Sequence, residues 1–137
     1  MKLRVGAIFI PVTNLEESIS WYTECLELQL IDNWGAGASF TFINGETLLA
    51  LIQVKQTSPL EFPVGENHSN VYYHFETDNL EQLSDHFEKK GVEVTRAYDH
   101  GVMNELFIKD PSGNEIAFYC EKENSPFFRH AAGKVSW

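Results

Sequence analysis

Leu15, Ile19, Tyr22 and Leu26 recur at three- and four-residue spacings, as do Leu80, Leu83 and Phe87, with acidic and basic residues filling the positions between. That period gathers the apolar side chains on one face and predicts two amphipathic helices, near 14–26 and 79–90, each lying on a sheet. Thr13 or Asn14 stands ahead of Glu16 and Glu17, and Asp78 or Asn79 ahead of Glu81 and Gln82. A side-chain oxygen at such a place accepts from otherwise unpaired helix N–H groups, so both are helix starts. The second helix ends at Gly91, where a missing Cβ permits a left-handed cap; the matching place in the first holds no glycine.

The two helical stretches belong to a longer internal repeat. "TNLEESISWYTECLELQL" (13–30) is similar to "DNLEQLSDHFEKKGVEV" (78–94), 65 positions further on. Strand-like segments surround each helix: 3–10, 28–33, 38–44 and 47–54 in the first half, then 70–77, 92–97, 104–109 and 114–121 in the second. Turns fall at "NWGAG", "NGE", "YDHGVMN" and "DPSGN", where Gly, Asn and Asp adopt the backbone angles a turn needs. Each half therefore reads βαβββ, and the fold class is α+β. Residues 1–137 form one domain, with a first module over about 1–57 and a second over about 68–121. Residues 55–69 carry two of the five prolines and no clear period, and read as a plain connection between the halves. The tail, 122–137, carries Phe127, Phe128 and Trp137, which are expected to pack on their own domain, the alternatives being a pocket mouth or a partner subunit.

Composition narrows the function. A formal net charge of -10 and a pI near 4.8 oppose binding to nucleic acid or to an acidic membrane surface, and no run of Lys and Arg reverses this locally. The opening "MKLRVGAIFIPV" reads as a first strand rather than a secretory signal, because its apolar part is short and lacks a small-residue cleavage site. No stretch reaches transmembrane length. Cys25 and Cys120 form no motif and read as reduced, buried thiols of a cytoplasmic protein.

Paired βαβββ halves, an opening strand running into "VTNLEESISWYTECLEL" and a closing "FIKDPSGNEIAFY" together resemble the vicinal oxygen chelate superfamily. Glyoxalase I, the bleomycin- and fosfomycin-resistance proteins and the extradiol dioxygenases belong to it. The resemblance covers about residues 3–121 and rests on the S-x-x-(W/F)-Y helix pattern together with the DP-x-GN turn. It implies a mixed, cup-shaped sheet built from the two modules. It also implies an enzyme site in which four inward His, Gln or Glu side chains hold a divalent metal for two vicinal substrate oxygens. Glu27 stands where the family usually has glycine after the helix. The four ligand positions fall at Ala7, Ala50, Tyr72 and Ala117. A methyl group cannot coordinate a metal, so the resemblance implies a cup that has exchanged its metal for volume, with no metal and no cofactor.

Period two places Asn70, Tyr72, His74 and Glu76 on one face of the fifth strand and Val71, Tyr73 and Phe75 on the other. The polar set faces the cup, which makes His74, with Tyr72, the candidate for ligand recognition or acid–base work, set against a merely structural, hydrogen-bonded histidine. Tyr72, His74, Glu76, Ala7, Ala50, Ala117 and Tyr119 are the expected ligand-binding residues. A displaced metal site drawing on His74, Glu76, His68, His100 or Glu105 has nothing in the sequence that forces convergence, and His86 lies on a helix. Two functions compete. One is a metal-free protein that encloses a small, partly aromatic or cationic molecule, in the manner of the bleomycin-resistance branch. The other is a glyoxalase- or dioxygenase-type enzyme with displaced ligands or a metal-free acid–base mechanism. A homodimer is the expected assembly in either case.

Overall fold

The computed structural model describes residues 1–128. The elements run β1 (Ala7–Val12), α1 (Leu15–Cys25), β2 (Gln29–Asn33), β3 (Gly37–Thr41), β4 (Leu48–Gln53), β5 (Glu61–Pro63), β6 (Ser69–Val71), β7 (His74–Glu76), α2 (Leu80–Lys89), β8 (Val94–Asp99), β9 (Met103–Lys109) and β10 (Glu115–Glu121). They divide into two compact units, Met1–Pro59 with Asp110–Asn114, and Leu60–Lys109 with the chain from Glu115 onward.

In the first unit the strands are ordered β1-β4-β3-β2, with β1 parallel to β4 and the remaining pairs antiparallel. One face of this sheet carries buried Ile8, Ile10, Val12, Phe40, Leu49 and Leu51, and α1 buries Leu15, Ser18, Tyr22 and Cys25. The helix opens on Asn14, whose Oδ1 accepts from the Glu17 N–H at 3.1 Å. Beyond its C-cap, Glu27 has φ +54°, the only non-glycine in the left-handed region among the described residues. The glutamate thus adopts a backbone shape that glycine takes without steric cost.

The 110–114 turn belongs to this unit, although it follows β9 in the chain. The Asp110 Oδ1 accepts from the backbone N–H groups of Ser112 (2.9 Å) and Asn114 (2.8 Å), and its Oδ2 accepts from Asn114 Nδ2 (2.9 Å) and from the Tyr22 hydroxyl (2.8 Å). Asn114 Nδ2 also donates to the Pro11 carbonyl at 2.7 Å, and the Thr13 N–H donates to Ser112 Oγ at 3.0 Å. The tyrosine of the S-x-x-W-Y helix and the aspartate of the DP-x-GN turn therefore share one buried hydrogen bond. Burial, then the adjacent Asp110 charge, raises the Tyr22 hydroxyl well above its ordinary pKa.

In the second unit the order is β7-β10-β9-β8, again with the first pair parallel and the others antiparallel, so the repeat is topological as well as sequential. Asn79 caps α2 by accepting from Gln82 N–H at 3.0 Å, and Gly91, at φ +71°, ends it. Phe87 of α2 meets Phe118, which meets Phe75, with ring centroids 5.3 and 5.6 Å apart.

Three expectations need correction. The first strand begins at Ala7, and residues 1–6 lie outside it. The connection 55–69 is not plain, because it contains β5, which pairs with β6. The single strand expected over 70–77 is two strands with different partners: Ser69–Val71 pairs with β5, whereas His74–Glu76 pairs with β10. The Val71 N–H turns to Asn70 Oδ1 at 2.8 Å, a local bond that competes with ladder pairing, and Tyr72 and Tyr73 fall in the gap. Phe127 is exposed and Phe128 half-buried, while Trp137 lies outside the described residues. Among those described, no helix is long and apolar enough to cross a membrane.

Candidate functional site

The sheet face of the first unit that turns away from the buried set is poor in chemistry. Ala7 and Phe9 alternate with buried Ile8 and Ile10, and Phe9 pairs with Ala50, which pairs in turn with Ser39. A Cβ at Gly37 would lie 2.5 Å from the Trp34 ring, so glycine is what lets the indole lie there. Phe9, Trp34 and Leu48 are exposed, and Ala50 is buried. This surface offers aromatic and aliphatic contact, with Asp32, which pairs with Ser39, as a charged group on the outer strand β2.

The corresponding face of the second unit is different. Ala117 pairs with His74 on one side and Phe107 on the other, Tyr119 with Glu76 and Glu105, Arg96 with Phe107, and Tyr98 with Glu105. Alternation puts all of these side chains on the face opposite Phe75, Phe118 and α2. At its centre, Glu105 is held between two imidazoles. His74 Nδ1 is 3.1 Å from Oε2, and His100 Nε2 is 3.1 Å from Oε1. Side-chain exposure grades outward through the set, from 8% at Glu105 to 23% at His74 and 44% at His100. The other ring nitrogen of His74, Nε2, lies 2.9 Å from Asn70 Oδ1.

Counting protons fixes the chemistry of this chain of contacts. Asn70 Oδ1 accepts from the Val71 N–H, so this atom is the amide oxygen, and His74 Nε2 must be the donor to it. The Nδ1 contact then places a second proton between His74 and the Glu105 carboxyl, on one or the other. The group is a hydrogen-bonded acid–base pair. Around it, Tyr98 stacks on His100 with centroids 5.7 Å apart and 28° between planes, and the rings of Phe107 and Tyr119 each lie 6.4 Å from that of His74. The Arg96 guanidinium carbon lies 3.8 Å from the Phe107 ring centroid, while Nε donates to Glu115 at 3.1 Å and Nη1 to the Ser69 carbonyl at 3.1 Å.

Of the residues expected from sequence, His74, Glu76, Ala117 and Tyr119 share this face. Tyr72 does not join them. The strand break leaves it 62% exposed with its ring 5.1 Å from that of Phe62, so alternation no longer relates it to His74. Ala117 is fully buried in a cluster with Val71 and Phe107, and its methyl meets packed side chains instead of open space. Nothing in the sequence makes Glu105 and His100 converge, yet both reach the same cluster as His74. The missed signal is the alternation of Glu105 and Phe107 against Leu106 and Ile108 in β9. His68 instead lies edge-on to Tyr98 at 6.0 Å.

Among the described residues, no group of three or more His, Cys, Asp or Glu side chains is arranged to hold a metal ion. His74 and His100 direct their nitrogens at separate oxygens of one carboxylate instead of at a common point.

Residues 4–118 match the Glyoxalase/Bleomycin resistance protein/Dioxygenase superfamily. The chain belongs to this superfamily. Solved structures agree on the fold. A glyoxalase family protein from Bacillus anthracis is 17% identical, covering 89% of this chain and 98% of that one, with a TM-score of 0.71. A lactoylglutathione lyase from Agrobacterium tumefaciens is 14% identical, covering 88% and 95%, at 0.68. TnmS3, an antibiotic binding protein from Streptomyces sp. CB03234, is 15% identical, covering 88% and 98%, also at 0.68. Among curated proteins, none matches the sequence. At the positions where the resemblance places the superfamily's metal donors, this chain carries Ala7, Ala50, Tyr72 and Ala117. Three methyl groups bring no lone pair.

Proposed function

We propose that this superfamily member binds a small organic molecule, partly aromatic or cationic, without a metal. The single observation that carries the reading is the contrast between the lost donors and the retained polar cluster. Where a chelate would need side-chain nitrogen and oxygen there is alanine, while His74, Glu105, His100 and Asn70 keep a connected set of hydrogen bonds beside Tyr98, Phe107 and Tyr119. Polar groups of that kind orient a ligand whose remaining surface lies on aromatic walls. Glu76 and Tyr119 lie on the same sheet face of the second unit as His74 and belong to the proposed site. The net charge of -10 favours a cationic or neutral ligand over an anionic one. The protein acts inside the cell, as a homodimer, and needs no nucleic acid or membrane partner.

The test is a thermal-shift screen of small aromatic amines and phenols in the presence of EDTA. A compound that raises the melting temperature of the wild type should bind His74→Ala more weakly, because Glu105 and Asn70 lose the partner that connects the polar cluster. A shift that occurs only with added Zn, Ni, Fe or Mn contradicts the reading and favours a metalloenzyme.

A further inference from the structure

The polar cluster has an inner and an outer end, and they differ in what they can still do. Both nitrogens of His74 are engaged, one by Asn70 and one by Glu105. Both oxygens of Glu105 are engaged as well. His100 is the exposed member, with Nε2 on Glu105 and, among the described residues, no hydrogen-bond partner for Nδ1. Whichever partner holds the proton shared with His74 at Oε2, Oε1 of Glu105 carries none and accepts only, so neutral His100 beside it is the Nε2–H tautomer, with a lone pair on Nδ1. A carboxylate behind an imidazole orients a base in this way in many unrelated sites.

The backbone around His100 is fixed rather than loose. The His100 N–H donates to the Met103 carbonyl at 2.9 Å, and Asp99 accepts from the Gly101 N–H at 2.8 Å, with Gly101 at φ +85°. Lys122 pairs with Asp99 at 2.8 Å, its backbone N–H donates to the Val102 carbonyl at 2.8 Å, and Asn124 Nδ2 donates to the Gly101 carbonyl at 3.4 Å. Tyr98 supports one face of the imidazole.

We propose that His100, rather than His74, presents the ligand-facing atom of this site: its Nδ1 accepts a hydrogen bond from a hydroxyl or ammonium group on an aromatic ligand. Glu105 and His74 are positioning residues that set its tautomer and balance the buried charge. The ligand class follows from the atom, since a lone pair backed by a carboxylate selects a proton donor and disfavours an anion. The inference rests on the small-molecule reading above, but its first measurement requires no ligand.

Nitrogen-15 NMR of the histidine rings in the full chain, at mildly alkaline pH, reads the tautomer directly. The expected result is neutral His100 with the proton on Nε2. A proton on Nδ1 of His100 overturns the inference while leaving the small-molecule reading intact. In Glu105→Gln, the amide oxygen can accept from His100 and the amide NH2 can donate to His74 Nδ1, so His74 should carry its one proton on Nε2 while His100 keeps its tautomer. Phenol, benzylamine and toluene, each titrated in EDTA, then test the ligand class. Phenol or benzylamine should move the Nδ1 resonance of His100, the one that does so identifying hydroxyl or ammonium as the donor read, and toluene should not. If neither donor moves that resonance, or toluene moves it equally, the assignment of His100 as the ligand-facing acceptor is wrong.

Discussion

Replacing Tyr22 with Phe removes one hydroxyl from a fully buried ring and tests what the most recognisable part of the sequence is for. The hydroxyl donates to Asp110 Oδ2 at 2.8 Å. A hydrogen bond to a charged acceptor contributes about 1.5–3 kcal/mol. The lower part of that range applies, because Asp110 keeps three other donors, the N–H groups of Ser112 and Asn114 and the Asn114 side chain, and is not orphaned. Tyr22→Phe should therefore cost about 2 kcal/mol, equivalent to a fall in melting temperature of roughly 5–8 °C for a domain of this size. Urea unfolding followed by circular dichroism measures it. The pH profile supplies a second, independent reading. The folded pKa of Tyr22 is raised, so the stability it contributes is fully present below the unfolded value of about 10 and is lost as pH climbs towards the folded one. Tyr22→Phe should lack that part of the alkaline decline. A cost below about 0.5 kcal/mol, with an unchanged alkaline profile, would refute the claim that helix and turn are joined energetically through this bond.

Two further substitutions follow from local geometry. Glu27→Gly should stabilise the protein by roughly 0.5–1 kcal/mol, the relief of a left-handed L-residue (about 1–2 kcal/mol) less the extra freedom glycine gives the unfolded chain (about 0.5–1 kcal/mol). An unchanged or lower urea midpoint would show that the glutamate side chain offsets the strain. Ala117→Glu, which would restore a metal-ligating residue type, should cost more than about 3 kcal/mol, because the carboxyl would enter a packed cluster of Val71 and Phe107. A variant as stable as the wild type would mean that Ala117 borders open space after all.

The fold was legible because its signals are local and repeated. Asn14 and Asn79 cap helices in the structure, and the second helix ends at Gly91, all as the sequence pattern requires. The site was legible only in part. His74 was visible as a histidine in a polar alternation, but its relation to Tyr72 was not, because a strand that changes partner leaves no mark in a period-two pattern. The pairing of His74 with Glu105 depends on β10 lying between β7 and β9, a non-local arrangement that residue types alone do not specify. The role of the 110–114 turn was hidden for a related reason. Its sequence marks a turn, while its value lies in the Tyr22 hydroxyl, 88 positions away.

Metal content is the most direct test of the proposal that this superfamily member works without a chelated ion. The purified chain is dialysed against Zn, Ni, Fe(II) and Mn in turn, freed of unbound ions and analysed by mass spectrometry. The account predicts far less than one ion per chain for each metal, with no change in melting temperature. One ion per chain, removed by EDTA with a loss of stability, would contradict it and place the donors on residues other than Ala7, Ala50, Tyr72 and Ala117.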